Sequence, residues 1–126
     1  MAQRIFSGVP SEAIARYAKA VIDGSTIYVS GTTGRDKTTG IFPTDAAQQA
    51  RNALAEIDDV LKKAGASLAH AVASRVYVTD LEAADAVTPV LGEVFKDIRP
   101  TSTFLICQIP ARGAKVEIEI IASVAQ

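Results

Sequence analysis

The sequence predicts an α+β fold in which one mixed sheet carries two helices on the same face. Two kinds of pattern lead there. Segments 17–22, 26–30, 71–79, 102–108 and 114–123 are rich in β-branched or aromatic residues, or alternate apolar and polar residues, as strands do. Segments 45–64 and 83–98 repeat apolar residues at steps of three and four, as amphipathic helices do. The order is β-β-α-β-α-β-β, and a length of 126 residues fits one domain, 1–126.

The lead-in up to residue 15 reads as loosely structured, because Gly8 and Pro10 interrupt it. Residues 17–22 (YAKAVI) form a short strand. Asp23-Gly24-Ser25 then signals a hairpin, Asp-Gly being favoured where the turn needs positive φ. The returning strand is 26–30 (TIYVS), and Gly31-Thr32-Thr33-Gly34 breaks the pattern before a polar loop, 35–43. The helix over 45–64 has the clearest stripe: Ala50, Ala53, Leu54, Ile57, Val60, Leu61 and Ala64. Thr44 or Asp45 caps it, with Gln48 placed for a capping box. Lys62 and Lys63 suit the negative end of its dipole, and Gly65 stops it.

After a connector at 67–69, strand 71–79 sets Val72, Val76 and Val78 on one face and Arg75 and Tyr77 on the other. The second helix, 83–98, carries Ala84, Val87, Val90, Leu91, Val94 and Phe95. Pro89 lacks an N–H, so this helix either starts at Thr88 with Pro89 in its first position or kinks there. Arg99-Pro100 ends it. In the last strand Val116, Ile118 and Ile120 share one face and Glu117 and Glu119 the other. One side of the sheet wants the helices. The opposite side must meet something else, and with 48% apolar residues a second subunit is the expected cover.

Composition narrows the function. A net charge of −1 with scattered basic residues gives no footprint for nucleic acid, and no apolar run approaches the ~20 residues of a membrane span. A single cysteine, Cys107, forbids an internal disulfide, and the N-terminus lacks the apolar core of a signal peptide, so a cytoplasmic location is expected. His70 is the single histidine and reads as a surface or capping residue. With one Cys and one His no zinc cluster forms, and no nucleophile elbow, phosphate loop or dinucleotide fingerprint is present; no metal and no cofactor is expected.

The residues left with chemistry are few. Glu117 and Glu119 are either solvated carboxylates or members of a cleft, where one of them would have a raised pKa. Ser30 at a strand end, followed by Gly31, can present a hydroxyl and backbone amides to a ligand. Cys107 in FLICQI reads as a buried thiol unless its strand lines a cleft.

Taken together, these segments resemble one family. AIARYAKAV, IYVSGTTG, DAAQQARNALAEIDDVLKKAGASLAHAVASRVYVTDL, VFKDIRPTST and KVEIEIIA are similar to the RidA family, also called YjgF or L-PSP, over nearly the whole chain. The resemblance implies a chorismate-mutase-like subunit, a homotrimer packed through its sheets, and small-molecule clefts between adjacent subunits. It implies hydrolysis of reactive imines and enamines to 2-keto acids and ammonia. Position by position, Tyr17, Ser30 and Glu117 match the family's tyrosine, serine and catalytic glutamate. The backbone around Gly31 and Thr32 would hold the polar end of a substrate, and Cys107 would line the cleft. The family's arginine does not match: Pro-Ala-Arg is here Pro100-Thr101-Ser102, so Ser102 stands where a carboxylate anchor belongs. An asparagine frequent on the second helix is Thr88, and the residue two beyond the arginine position is Phe104.

Arg replaced by Ser loses a bidentate fork for a carboxylate, a loss of about 2–5 kcal/mol in a desolvated cleft. Among Arg35, Arg75, Arg99 and Arg112, Arg35 is the first candidate to replace it, since its loop follows Ser30 and Gly31. The implied function is therefore an imine or enamine deaminase with atypical recognition. A metabolite-binding module without catalysis is the alternative. The ribonuclease activity in the family's older name fits poorly with the charge balance and with 6% aromatic residues.

Overall fold

The computed structural model describes residues 2–125. Its strands are β1 (Gln3–Ile5), β2 (Ala20–Asp23), β3 (Thr26–Thr33), β4 (Ala71–Val78), β5 (Thr101–Ile106) and β6 (Val116–Ser123). Its helices are α1 (Pro10–Ala15), α2 (Ala46–Lys63) and α3 (Leu81–Val94), with a 3-10 turn at Leu68–His70. The strands form one six-stranded mixed sheet in the order β1-β2-β3-β6-β4-β5. Every pairing is antiparallel except β4 with β5, which the crossover through α3 makes parallel. The expected α+β class and the placement of both long helices on one face agree with this architecture.

The core lies between sheet and helices. Ile27, Val29, Val76, Val78, Val116, Ile118 and Ile120 meet Leu54, Ile57 and Leu61 of α2 and Val87 and Val90 of α3. Each such buried side chain contributes about 1.5–3 kcal/mol of transfer free energy. Alternation along β6 is regular: Val116, Ile118, Ile120 and Ala122 are buried, and Glu117, Glu119, Ile121 and Ser123 are half-buried. The sheet's opposite face stays open, with Tyr28 and Val72 exposed, and every residue of β5 is exposed, Phe104, Leu105 and Ile106 included.

Several boundaries differ from expectation. The lead-in is ordered: β1 extends the sheet, and Pro10 opens α1 because its missing N–H is no loss in a first turn. Arg16, at φ 64, closes that helix in the left-handed conformation. The first hairpin strand begins at Ala20 rather than Tyr17, and Gly24, at φ 62, makes the turn. α2 starts after Asp45, whose carboxylate accepts from the Ala47 amide, but Gln48 turns to Asn52 and no capping box forms there. The capping box is instead at the 3-10 turn. There the Ser67 hydroxyl accepts from Ala69, and His70 Nδ1 accepts from the Ser67 amide at 3.1 Å, which makes His70 a capping residue.

α3 runs unbroken through Pro89 from its Asp80 cap, so neither a start at Thr88 nor a stop at Ile98 holds. Val72 does not share the face of Val76 and Val78. Ala71 faces Ala122 and Ala73 faces Ile121, so Val72 is the extra residue of a bulge that turns it outward.

Candidate functional site

β3 continues past Ser30 to Thr33, and its irregularity builds the site. Val29 faces Ile120 and Thr32 faces Ile118, so Ser30 and Gly31 together oppose the single residue Glu119. This bulge re-aims the strand beside Glu117. A cleft of about 620 Å³ opens there. Its walls are the turn around Ser7, the start of α1, the end of β3, Glu56 of α2, the Pro110–Ala111 loop and Glu117 of β6.

The structure brings Tyr17, Ser30, Gly31, Thr32, Arg35 and Glu117 to this cleft. Glu117 is half-buried, and its carboxylate lies so close over Gly31 that a Cβ there would overlap it. Burial, with the neighbouring charge of Glu119, pushes the Glu117 carboxyl above the usual range, and Lys19 opposes the shift. A carboxylate of raised pKa facing a cleft can take a proton from water and return it.

Ser30 is committed in part. Its hydroxyl donates to the Ala18 carbonyl at 2.6 Å, so towards a ligand it can only accept. Thr32 is buried and donates to the Ser30 carbonyl. The Tyr17 hydroxyl shares a 2.6 Å hydrogen bond with Ser11 Oγ, which ties it to α1 at the rim. Arg35 is exposed; it donates to the Gly40 carbonyl and lies 4.3 Å over the Phe42 ring.

Ser102 and Cys107 do not line the cleft of their own chain. They belong to β5 and the residue just after it, and β6 and β4 lie between β5 and β3. At about 4.8 Å per strand this is roughly 14 Å across the sheet. Cys107 is exposed rather than buried, because α3 passes beside β4 and leaves β5 uncovered. Glu119 points to the open face, where it accepts from Tyr77 Oη at 2.7 Å and faces Arg75 at 3.5 Å.

Sequence reasoning missed three charged members of the cleft. Lys19 is buried, and its ammonium donates to Thr32 Oγ1 and to Glu56 Oε2, each at 2.7 Å. Glu12 is buried in α1 and accepts from the amides of Ser7 and Gly8 and from the Ser7 hydroxyl. Burial alone would raise the Glu12 carboxyl. The Ser7 and Gly8 hydrogen bonds, aided by Lys19, outweigh it and hold the group below the usual range. A lysine inside the otherwise apolar YAKAVI was the available signal for Lys19; Glu12 and Glu56 left none.

Residues 9–124 match the family described as Endoribonuclease L-PSP. The chain is 33% identical to the 2-iminobutanoate/2-iminopropanoate deaminase of Capra hircus over 125 residues, covering 97% of this chain and 90% of that protein. It is 38% identical to the RutC family protein UK114 of Drosophila melanogaster over 111 residues, covering 86% and 80%. Among solved structures, a YjgF/YER057c/UK114 family member from Mycobacterium tuberculosis superposes with a TM-score of 0.88 at 36% identity, covering 98% of this chain and 100% of that one.

Proposed function

The chain belongs to the Endoribonuclease L-PSP family, also called RidA or YjgF, and from that premise we propose that its cleft binds a small imine or enamine and hydrolyses it. The observation that carries this reading is Glu117, a carboxylate of raised pKa over the bare Cα of Gly31. Glu117 takes a proton from water as the water oxygen attacks the C=N carbon. The C=N π electrons go to nitrogen, which is protonated, giving a carbinolamine. Glu117 then takes the hydroxyl proton and returns it to the amine nitrogen as the C–N bond breaks, so that ketone and ammonia leave. Glu117 supplies the base and then the acid. Lone pairs of Ser30 and backbone amides near Gly31 and Thr32 orient the polar end of the substrate, and Tyr17 closes the rim.

The working molecule in this reading is a homotrimer with clefts between subunits. The exposed apolar residues of β5 and of the open sheet face support it, since a free subunit rarely leaves such surface uncovered. A second reading, a metabolite-binding module without catalysis, is favoured by Ser102 standing where the family resemblance implies an arginine.

One assay separates the two. 2-Iminopropanoate is generated in situ by an amino-acid oxidase, and its hydrolysis is followed with and without the protein. Acceleration that Glu117→Ala reduces by 100-fold or more supports the enzyme. No acceleration with this or with neutral imines leaves the binding module.

A further inference from the structure

We infer that Lys19 is the anchor for a ligand carboxylate in this cleft, and that Glu56 occupies the anchor until such a ligand displaces it. The inference rests on the cleft being the ligand site proposed above. What is new is the anchoring residue: a small 2-imino or 2-keto acid is held by an ammonium rather than a guanidinium.

Lys19 and Glu56 are unequal partners. They meet at 2.7 Å, but the lysine side chain is 9% exposed and the glutamate 54%. A buried ammonium without a counter-charge is costly, and Lys19 keeps carboxylates around it: Glu12 and Glu117 feel its charge across the cleft, and Glu56 is the one that touches it. Glu56 requires nothing comparable. Its carboxylate sits at the cleft's edge, and a half-exposed ion pair is worth little to it, so it can turn into water at small cost. The fixed member of the pair is therefore the cation, and its anion is exchangeable. A ligand carboxylate that takes the position of Glu56 Oε2 keeps Lys19 neutralised while Glu56 is solvated outside.

The cation is also held in a defined place. Thr32 Oγ1 accepts from Lys19 Nζ and in turn donates to the Ser30 carbonyl, which aims the ammonium at the β3 bulge. An ammonium carries three donors, so Thr32 and one carboxylate leave a further N–H for the ligand. Lys19 lines the same cleft as Glu117 and is felt there electrostatically. A small 2-imino acid held by its carboxylate at Lys19 thus presents its C=N carbon inside the cavity that Glu117 faces. Arg35, the arginine closest to this role by sequence, is engaged by Phe42 and the Gly40 carbonyl at the surface.

The test uses pyruvate and its neutral isostere pyruvamide as probes, titrated against the full chain while the Gly31 and Thr32 amides are followed by NMR. Pyruvate is expected to bind at least tenfold more tightly than pyruvamide. Lys19→Gln should erase the preference, Lys19→Arg should keep it, and Glu56→Gln should tighten pyruvate binding several-fold by removing the competitor. Equal binding of the two probes, no response to pyruvate, or an unchanged preference in Lys19→Gln overturns the inference. Should Lys19→Gln not fold, Glu56→Gln decides alone: pyruvate binding unchanged or weakened overturns it. Imine hydrolysis is scored separately. Pyruvate captured through Lys19 without hydrolysis overturns the enzyme and leaves the anchor; hydrolysis of 2-iminopropanoate with unchanged KM in Lys19→Gln does the reverse.

Discussion

Glu117 illustrates how a site residue loads the fold that holds it. Its folded pKa lies above the ordinary 4.5 because burial and Glu119 disfavour the anion. The folded state therefore binds this proton more readily than the unfolded chain. The stability it contributes is complete below about pH 4.5 and is lost as pH rises through the folded pKa. At neutral pH the ionised carboxylate is a liability, so Glu117→Gln should melt at a higher temperature than the native protein at pH 8 and show no such gain at pH 4. The same variant should lack imine hydrolysis. Thermal unfolding at the two pH values checks this, and a gain that is equal at both would place the effect elsewhere than in ionisation. Glu117 was legible because strand alternation and family resemblance both point to it. Lys19 was legible only as a lysine out of place in YAKAVI; its partner Glu56 stands 37 positions further along the chain. No local pattern carries a contact of that kind.

At the scale of elements, helix α2 does more than cover the sheet. Gln49, fully buried in its first turns, donates to the Pro43 and Gly113 carbonyls and accepts from the Lys115 amide. It pins both the loop before the helix and the loop that delivers Pro110 and Ala111 to the cleft. The backbone of the same residue packs on Gly34, where any Cβ would overlap the Gln49 carbonyl. Gln49→Leu keeps the volume but strands three backbone groups, at about 1–3 kcal/mol for each one left dry. The loss expected in urea unfolding is about 3 kcal/mol, against about 1 kcal/mol for removing the cap with Asp45→Ala. A Gln49→Leu loss no larger than that of Asp45→Ala would mean that water replaces the amide. The helix itself was plain in the sequence, from its stripe to its final lysines. The bulges at Ser30–Gly31 and Val72 were not, because an extra residue in a strand changes register without changing composition. Helix α1, at six residues, is too short for a period to declare itself.

For the whole molecule, the geometry of the sheet makes a prediction about assembly. Ser102 is roughly 14 Å from β3 across β6 and β4, further than an arginine side chain extends. An arginine introduced at Ser102 therefore cannot serve the cleft of its own chain. It can serve a neighbour's cleft if the exposed β5, with Leu105 and Ile106, packs against that neighbour. For the proposed homotrimer, sedimentation should give roughly 40 kDa, three times the 13.2 kDa subunit. Ser102→Arg should then lower KM for 2-iminopropanoate at least tenfold, a charge-assisted pair in a desolvated cleft being worth about 2 kcal/mol or more. Leu105→Glu, which places a charge in the apolar surface, should dissociate the trimer and cancel that gain when combined with Ser102→Arg. A gain that survives in the dissociated double variant would mean that the arginine acts within one chain, against the strand order. Absence of any gain in an intact trimer would mean that β5 of the neighbour does not reach the cleft. Either result would remove the inter-subunit site while leaving Glu117 and Lys19, which reach the cleft from within one chain.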